Sequence, residues 1–295
     1  MTMLRTQGII FCISSAVLAC ASLYLPRLDQ QTELIIIAVL IIALGVPHGA
    51  LDTIFARQLY NVNSTGGWIG FGALYLLLAA VTIGIWALFP MLFLIGFFLI
   101  SVAHFSGDPA EGTNLITRLL YGGAVIVLPA LLHASELSRL LDFLVGSDAA
   151  VQIVQPMELL ALPWLVGLLI ATIWQIRSSW LTALELLSVG ALAVLMPPLL
   201  AFTIFFCGMH SARHILRTFE YAGRSSPWLM VFAAIVPMAV VFGLSTIAWK
   251  LMSSTAFDTR IIQLIFVGLA ALTLPHMVLV EQVRVSGWIK GAARA

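Results

Sequence analysis

Charge is what this chain lacks most. Only 9% of its 295 residues are Asp, Glu, Lys or Arg, against about 25% in a soluble globular domain. A deficit that large excludes a soluble core and points to lipid as the solvent. Fourteen basic residues nearly balance thirteen acidic ones, for a net charge of +1. There is no basic surplus to hold nucleic acid or an anionic membrane surface. Cysteine is scarce too: Cys12, Cys20 and Cys207 lie inside apolar runs, which excludes a disulfide framework and a CxxC metal pair. No internal repeat or low-complexity segment marks a domain boundary, so residues 1–295 read as a single helical domain. The first apolar run follows Arg5 much as a signal peptide would. Nothing soluble comes after it, so it reads as a membrane span.

What is present is apolar: 61% of the residues are hydrophobic. A spanning helix needs about 20 apolar residues. Runs bounded by charge, Pro and Gly predict ten spans, near 8–25, 34–51, 68–89, 91–107, 114–133, 158–176, 180–197, 199–217, 228–249 and 261–283. Pro90 and the pair Pro197-Pro198 must then serve as whole turns. The stretch 134–157, with Glu136, Arg139, Asp142 and Asp148, reads as an interfacial amphipathic segment or loop. With ten spans the termini share a side, which collects Arg5, Arg57, Arg118, Arg177, Arg213, Arg217, Arg224, Arg284, Lys290 and Arg294. The other side has only Arg27, Arg139, Lys250 and Arg260. The positive-inside rule therefore places both termini in the cytoplasm. The expected fold is an all-α polytopic bundle, a multi-pass protein of the cell (inner) membrane.

Six histidines stand out in this apolar background: His48, His104, His133, His210, His214 and His276. Taken singly, each reads equally well as a packing or interfacial residue. Intramembrane polar residues are expensive, however, and often mark a site. His48, His104, His210, His214 and His276 fall late in even-numbered spans, which places all five in the cytoplasmic half of the bilayer. His133 ends an odd-numbered span at the opposite face. A common level predicts a shared site. His210 and His214 are i,i+4 on one helix, so both rings leave the same face, ready to clamp a metal.

Asp52 and Asp108 each follow a histidine by four residues, after His48 and His104. A metal-bound histidine usually gives its second N–H to a carboxylate, so each aspartate is a candidate to orient its neighbouring ring. The plainer alternative is that both cap helix ends. Glu281, five residues after His276, reads as an outer-shell group or an interfacial charge beside Arg284. Pro47 and Pro275 each precede a histidine and would leave irregular backbone there. Neutral imidazoles without thiolate suit zinc, copper, iron or nickel. The nearby Phe55, Phe97, Phe98, Phe105, Phe202, Phe205, Phe206, Met209 and Met277 would suit a long hydrophobic substrate, or they are ordinary packing residues.

Four short motifs carry a resemblance. Pro-His-Gly-Ala-Leu-Asp (47–52), Ala-His-Phe-Ser-Gly-Asp (103–108), His-Ser-Ala-Arg-His (210–214) and Leu-Pro-His-Met (274–277) are similar, in order and spacing, to those of the Brp/Blh-type β-carotene 15,15′-dioxygenases. These are integral membrane enzymes that supply retinal to microbial rhodopsins. The resemblance implies Fe(2+) held by His48, His104, His210 and His214, with His276 beside the site. It implies oxidative cleavage of the central double bond of β-carotene by dioxygen, giving two retinals with no organic cofactor. The substrate would enter from the bilayer, and delivery of retinal to a rhodopsin would follow. The N-terminal span carries no matching motif.

Other classes compete. A b-type haem cytochrome also uses intramembrane histidines, but two ligands on one helix cannot take opposite faces of one haem. A metal transporter needs ligands along a path rather than at one level. A di-iron hydroxylase or desaturase would need more histidines than six with one HxxxH pair. A metal-dependent oxygenase acting on another lipid remains an alternative.

Overall fold

The computed structural model describes residues 2–223 and 227–283. Arg224, Arg284, Lys290 and Arg294 of the charge asymmetry lie outside the described residues. Within them the chain is helical and no strand occurs. The helices are α1 (Met3–Tyr24), α2 (Gln30–Tyr60), α3 (Thr65–Leu88), α4 (Pro90–Phe105), α5 (Leu115–Val127), α6 (Ala130–Val145), α7 (Ser147–Ile176), α8 (Trp180–Leu195), α9 (Pro198–Tyr221), α10 (Pro227–Leu251) and α11 (Phe257–Val283).

Local chemistry sets the boundaries. Thr2, Asp29, Ser64, Asn114 and Ser179 cap α1, α2, α3, α5 and α8, each side chain accepting from a backbone N–H three residues on. Asn61, with φ 53°, stops α2 in the left-handed region. Gly146, with φ 83°, makes the one-residue turn between α6 and α7. Pro90 and Pro198 open α4 and α9, where the missing N–H costs no helical bond. The turns are as tight as ten apolar stretches require, with Phe89 alone between α3 and α4 and Met196-Pro197 between α8 and α9, and the prolines at the starts of the following helices.

Nine of the ten apolar stretches correspond to one helix each, and 114–133 runs through α5 across the break at Leu128–Pro129 into the first turn of α6. Seven helices are long and apolar enough to cross a membrane, and an eighth span results if α5 and α6, bent by 57°, count together. α4 and α8 are shorter apolar helices. Of the two readings of segment 134–157, the structure keeps the amphipathic one and overturns the loop. The segment runs through α6, which buries Leu137, Leu141 and Leu144, and on into α7. Its charges sit on the face those leucines leave open, so the amphipathic pattern is that of a packed helix.

α8 lies between α1 and α7, and α3 packs along α11. α2 crosses α9 where Gly45 meets Phe206. A Cβ on Gly45 would come within 2.5 Å of that ring, so only glycine allows this approach. α10 buries little of itself, with Met230 its one buried residue, and leans on α11 and the middle of α2.

Candidate metal centre

Two helices deform at the same level. α2 contains a π-helical turn at Ile41–Gly45 and breaks again at Leu51, and α9 contains a second π turn at Phe205–Ser211. Such turns recur at functional sites because they re-aim side chains out of the regular helical path. Here Pro47, which cannot donate in the helical ladder, follows the first turn and precedes His48. The second turn carries His210.

The result is a convergence of imidazoles. His48, His104, His210, His214 and His276 are all buried, between 2% and 8% exposed. The His48 ring contacts those of His210, His214 and His276 at centroid distances of 5.1, 5.4 and 5.1 Å. His104 meets His210 at 4.4 Å and His276 at 5.1 Å, and His214 meets His276 at 4.9 Å. Ligand atoms of His48, His104 and His276 lie within 4.8 Å of one another. The five histidines read at one depth therefore come together. His133 sits at the kink of α6 and makes no ring contact with them. His276 lies inside the cluster rather than beside it.

The carboxylates reach the cluster, but not through the expected rings. Asp52 receives the Nδ1 of His276 at 2.7 Å, and its other oxygen accepts from Tyr75 at 3.0 Å. Asp108 faces His210 Nδ1 at 3.1 Å with both oxygens. Neither aspartate orients the histidine four residues before it. The break at Leu51 rotates Asp52 away from His48, and α4 ends at Phe105, so that Asp108 lies in the following turn. His48 Nδ1 instead faces the Gly45 carbonyl at 2.5 Å and Ser211 Oγ at 3.0 Å. With Nδ1 of His48, His210 and His276 engaged, Nε2 is left as the ligand atom. The Nε2 atoms of His210 and His276 are buried with no hydrogen-bond partner. A buried donor or acceptor left unmade costs about 1–3 kcal/mol, and a metal ion would satisfy both. Glu281 is half-buried in α11 and does not line the adjoining cavity.

An outer network that the sequence reading missed holds the Asp108 turn. Arg213 donates to Glu185 at 2.5 and 3.0 Å and to the Asp108 carbonyl at 3.0 Å. Arg217 donates to the carbonyls of Gly107 and Asp108, both at 2.8 Å. Gln7 accepts from Arg213 and donates to the Gly208 carbonyl, so α1 ties the ion pair to the second π turn. One signal for it exists: Glu185 is a lone carboxylate in the apolar run 180–197.

Beside the cluster lies a cavity of about 1430 Å³, reached by His48, Asp52 and His276 and walled by α2, α3, α10 and α11. Of the aromatics and methionines near the motifs, only Phe206 lines it. Phe55 and Phe105 pack against the rings of His214 and His210 instead, at 5.8 and 4.8 Å.

A profile of the family described as "Beta-carotene 15,15′-dioxygenase" matches residues 39–284. The chain belongs to that family. Residues 39–284 include all five clustered histidines, whereas α1 precedes the matched region. The chain is 29% identical over 257 residues to a "Beta-carotene 15,15′-dioxygenase" of an uncultured marine bacterium (82% of this chain, 90% of the relative). It is 24% identical over 282 residues to a "Probable beta-carotene 15,15′-dioxygenase Blh" of Halobacterium salinarum, with 81% of each chain covered. No solved structure matches it.

Proposed function

We propose that this member of the family cleaves β-carotene at its central double bond, using iron(II) and dioxygen. The observation that carries the proposal is a set of five buried imidazoles converging at the wall of a long apolar cavity. The atom balance of the reaction needs no other reactant. The central C=C breaks, each of its carbons takes one oxygen atom of O2, and a C40 hydrocarbon becomes two C20 aldehydes.

His48, His104, His210 and His214 are the proposed ligands, with His276 as a fifth imidazole able to reach the same ion. The donor set fits, being all neutral nitrogen without thiolate. Iron(II) bound there would supply the one-electron chemistry that couples dioxygen to a double bond. The chain's own residues do the rest. Asp108 and Asp52 hold the Nδ1 protons of His210 and His276 and so fix which nitrogen faces the ion. Tyr75 fixes Asp52 in turn. The apolar walls of the cavity hold the polyene in line with the rings, so that position rather than acid–base chemistry selects the bond. Release of retinal within the bilayer suits uptake by a membrane partner such as a microbial rhodopsin.

The geometry argues against the haem alternative. Imidazoles touching edge to face leave no slot for a porphyrin between them. Expression in a carotene-accumulating host tests the proposal: the cells should bleach, because halving the polyene shortens its conjugation. Persistent colour with folded, iron-loaded protein and oxygen present would reject it.

A further inference from the structure

The cavity is long and its two ends differ. One face of α3 lines it from Trp68 through Tyr75 to Trp86, and α11 lines it from Gln263 to His276. At 1.5 Å per residue, Tyr75 to Trp86 spans about 16 Å and His276 to Gln263 about 20 Å. In the other direction, Tyr75 to Trp68 spans only about 10 Å. The shorter arm ends in a polar, exposed mouth made by Arg57, Gln58, Asn61 and Asn63.

The far arm ends differently. Trp86 donates through Nε1 to the Leu144 carbonyl at 2.9 Å, and Gln263 donates through Nε2 to the Phe143 carbonyl at 2.7 Å. Both side chains line the cavity, and both are pinned to the last turn of α6. Two hydrogen bonds from different helices to adjacent carbonyls hold these two side chains in fixed positions at the far margin of the cavity. The end of α6 is itself packed, with Leu141 and Leu144 buried.

We propose that Trp86 and Gln263 form the stop that sets which double bond of a linear polyene lies beside the histidines. The reading rests on the cleavage proposed above and adds to it the residues that determine its position. A hydrocarbon offers no polar group by which to fix its register. Length against a fixed obstacle is the remaining means, and the two pinned side chains at the far margin supply one. One half of the substrate, with its ring, fills the far arm until the ring meets Trp86. The other half runs past the histidines toward the mouth. Trp86 and Gln263 touch no histidine of the cluster, so their role is specificity and not chemistry.

The test uses full-length protein in nanodiscs. Under oxygen, aldehyde products of β-carotene are separated by length for wild type, Trp86→Ala and Gln263→Ala. Under argon, co-elution with protein measures retention of β-carotene and of a C30 apocarotenal lacking one ring, for wild type and Ser245→Trp. Ser245 lines the far arm, so an indole there shortens the arm without touching the stop. Removing the Trp86 indole lets the ring slide deeper and brings a bond nearer the mouth-side ring to the histidines. Unequal pairs, one aldehyde longer and one shorter than C20, should then appear. Ser245→Trp should lose about tenfold in retention of β-carotene while keeping the C30 compound, whose narrow end still enters.

Folded Trp86→Ala giving only the C20 aldehyde would overturn the stop. Unchanged β-carotene retention in Ser245→Trp would overturn it as well, and this second measurement decides the matter if Trp86→Ala does not fold. Wild type that makes no aldehyde, combined with length-dependent retention, would instead defeat the cleavage reading and leave the stop standing.

Discussion

Asp52 and His276 stand 224 positions apart in the chain and meet in a 2.7 Å hydrogen bond inside the bundle. The bond joins the break in α2 to the second half of α11, and Tyr75 of α3 completes it. Three helices that wall the cavity are thereby tied to one ring of the histidine cluster.

Removing that tie should weaken the metal site without unfolding the protein. Asp52→Ala is expected to lower metal affinity by about 10–100-fold, and Tyr75→Phe, which keeps the carboxylate, by less. Metal content after graded chelator challenge measures both, with elution profile as the control for folding. Unchanged retention in Asp52→Ala would mean that the carboxylate serves only to hold helices together.

The histidines divide five to one. Alanine at His48, His104, His210, His214 or His276 should each reduce bound metal, whereas His133→Ala should leave it intact. Elemental analysis of purified variants checks this. Full metal in His276→Ala would return that residue to a neighbouring role, and full metal in His210→Ala would refute the ligand assignment.

The Arg213–Glu185 pair should behave as a buried ion pair does. Glu185→Ala leaves the Arg213 guanidinium buried without its carboxylate and is expected to destabilise the fold by about 3–5 kcal/mol. Glu185→Gln keeps a hydrogen-bond acceptor and should lose less. Denaturation in detergent micelles gives the comparison. A neutral Glu185→Ala would mean that water or lipid headgroups reach Arg213.

Topology provides a check on the depth argument. Reporter fusions near residues 62 and 295 should report the cytoplasmic side, and a fusion near 145 the opposite side. The fusion near 145 is the informative one, because α5 and α6 together form either one bent span or a re-entrant pair. Opposite sides for 62 and 295 would defeat the ten-span reading.

Much of the bundle and of the cluster is legible in the amino-acid sequence itself. A bilayer demands a length of apolar chain, so hydropathy alone locates the ten stretches. The depth of His48, His104, His210, His214 and His276 within them anticipates their meeting. The partners of Asp52 and Asp108 are not legible. An i,i+4 rule assumes continuous α-helix, and the breaks at Ile41–Gly45, Leu51 and Phe105 rotate each aspartate toward a ring on another helix. The cavity walls are hidden for a different reason. Phe71 and Phe232 face the cavity while Phe97, half-buried, packs against the core, yet composition reads all three alike. The segment 134–157 stays open between amphipathic helix and loop in the sequence, because Glu136, Arg139 and Asp142 fall on one face only once the helix is drawn.

Iron titration of metal-stripped wild-type protein, with retinal formation from β-carotene under oxygen as the readout, tests the central claim most directly. Retinal formation should rise with added iron(II), saturate near one equivalent per chain, and give about two retinals for each carotene consumed. Stripped protein that cleaves carotene as fast as the loaded form, or that is restored equally by redox-inert zinc, would contradict an iron centre built from these histidines.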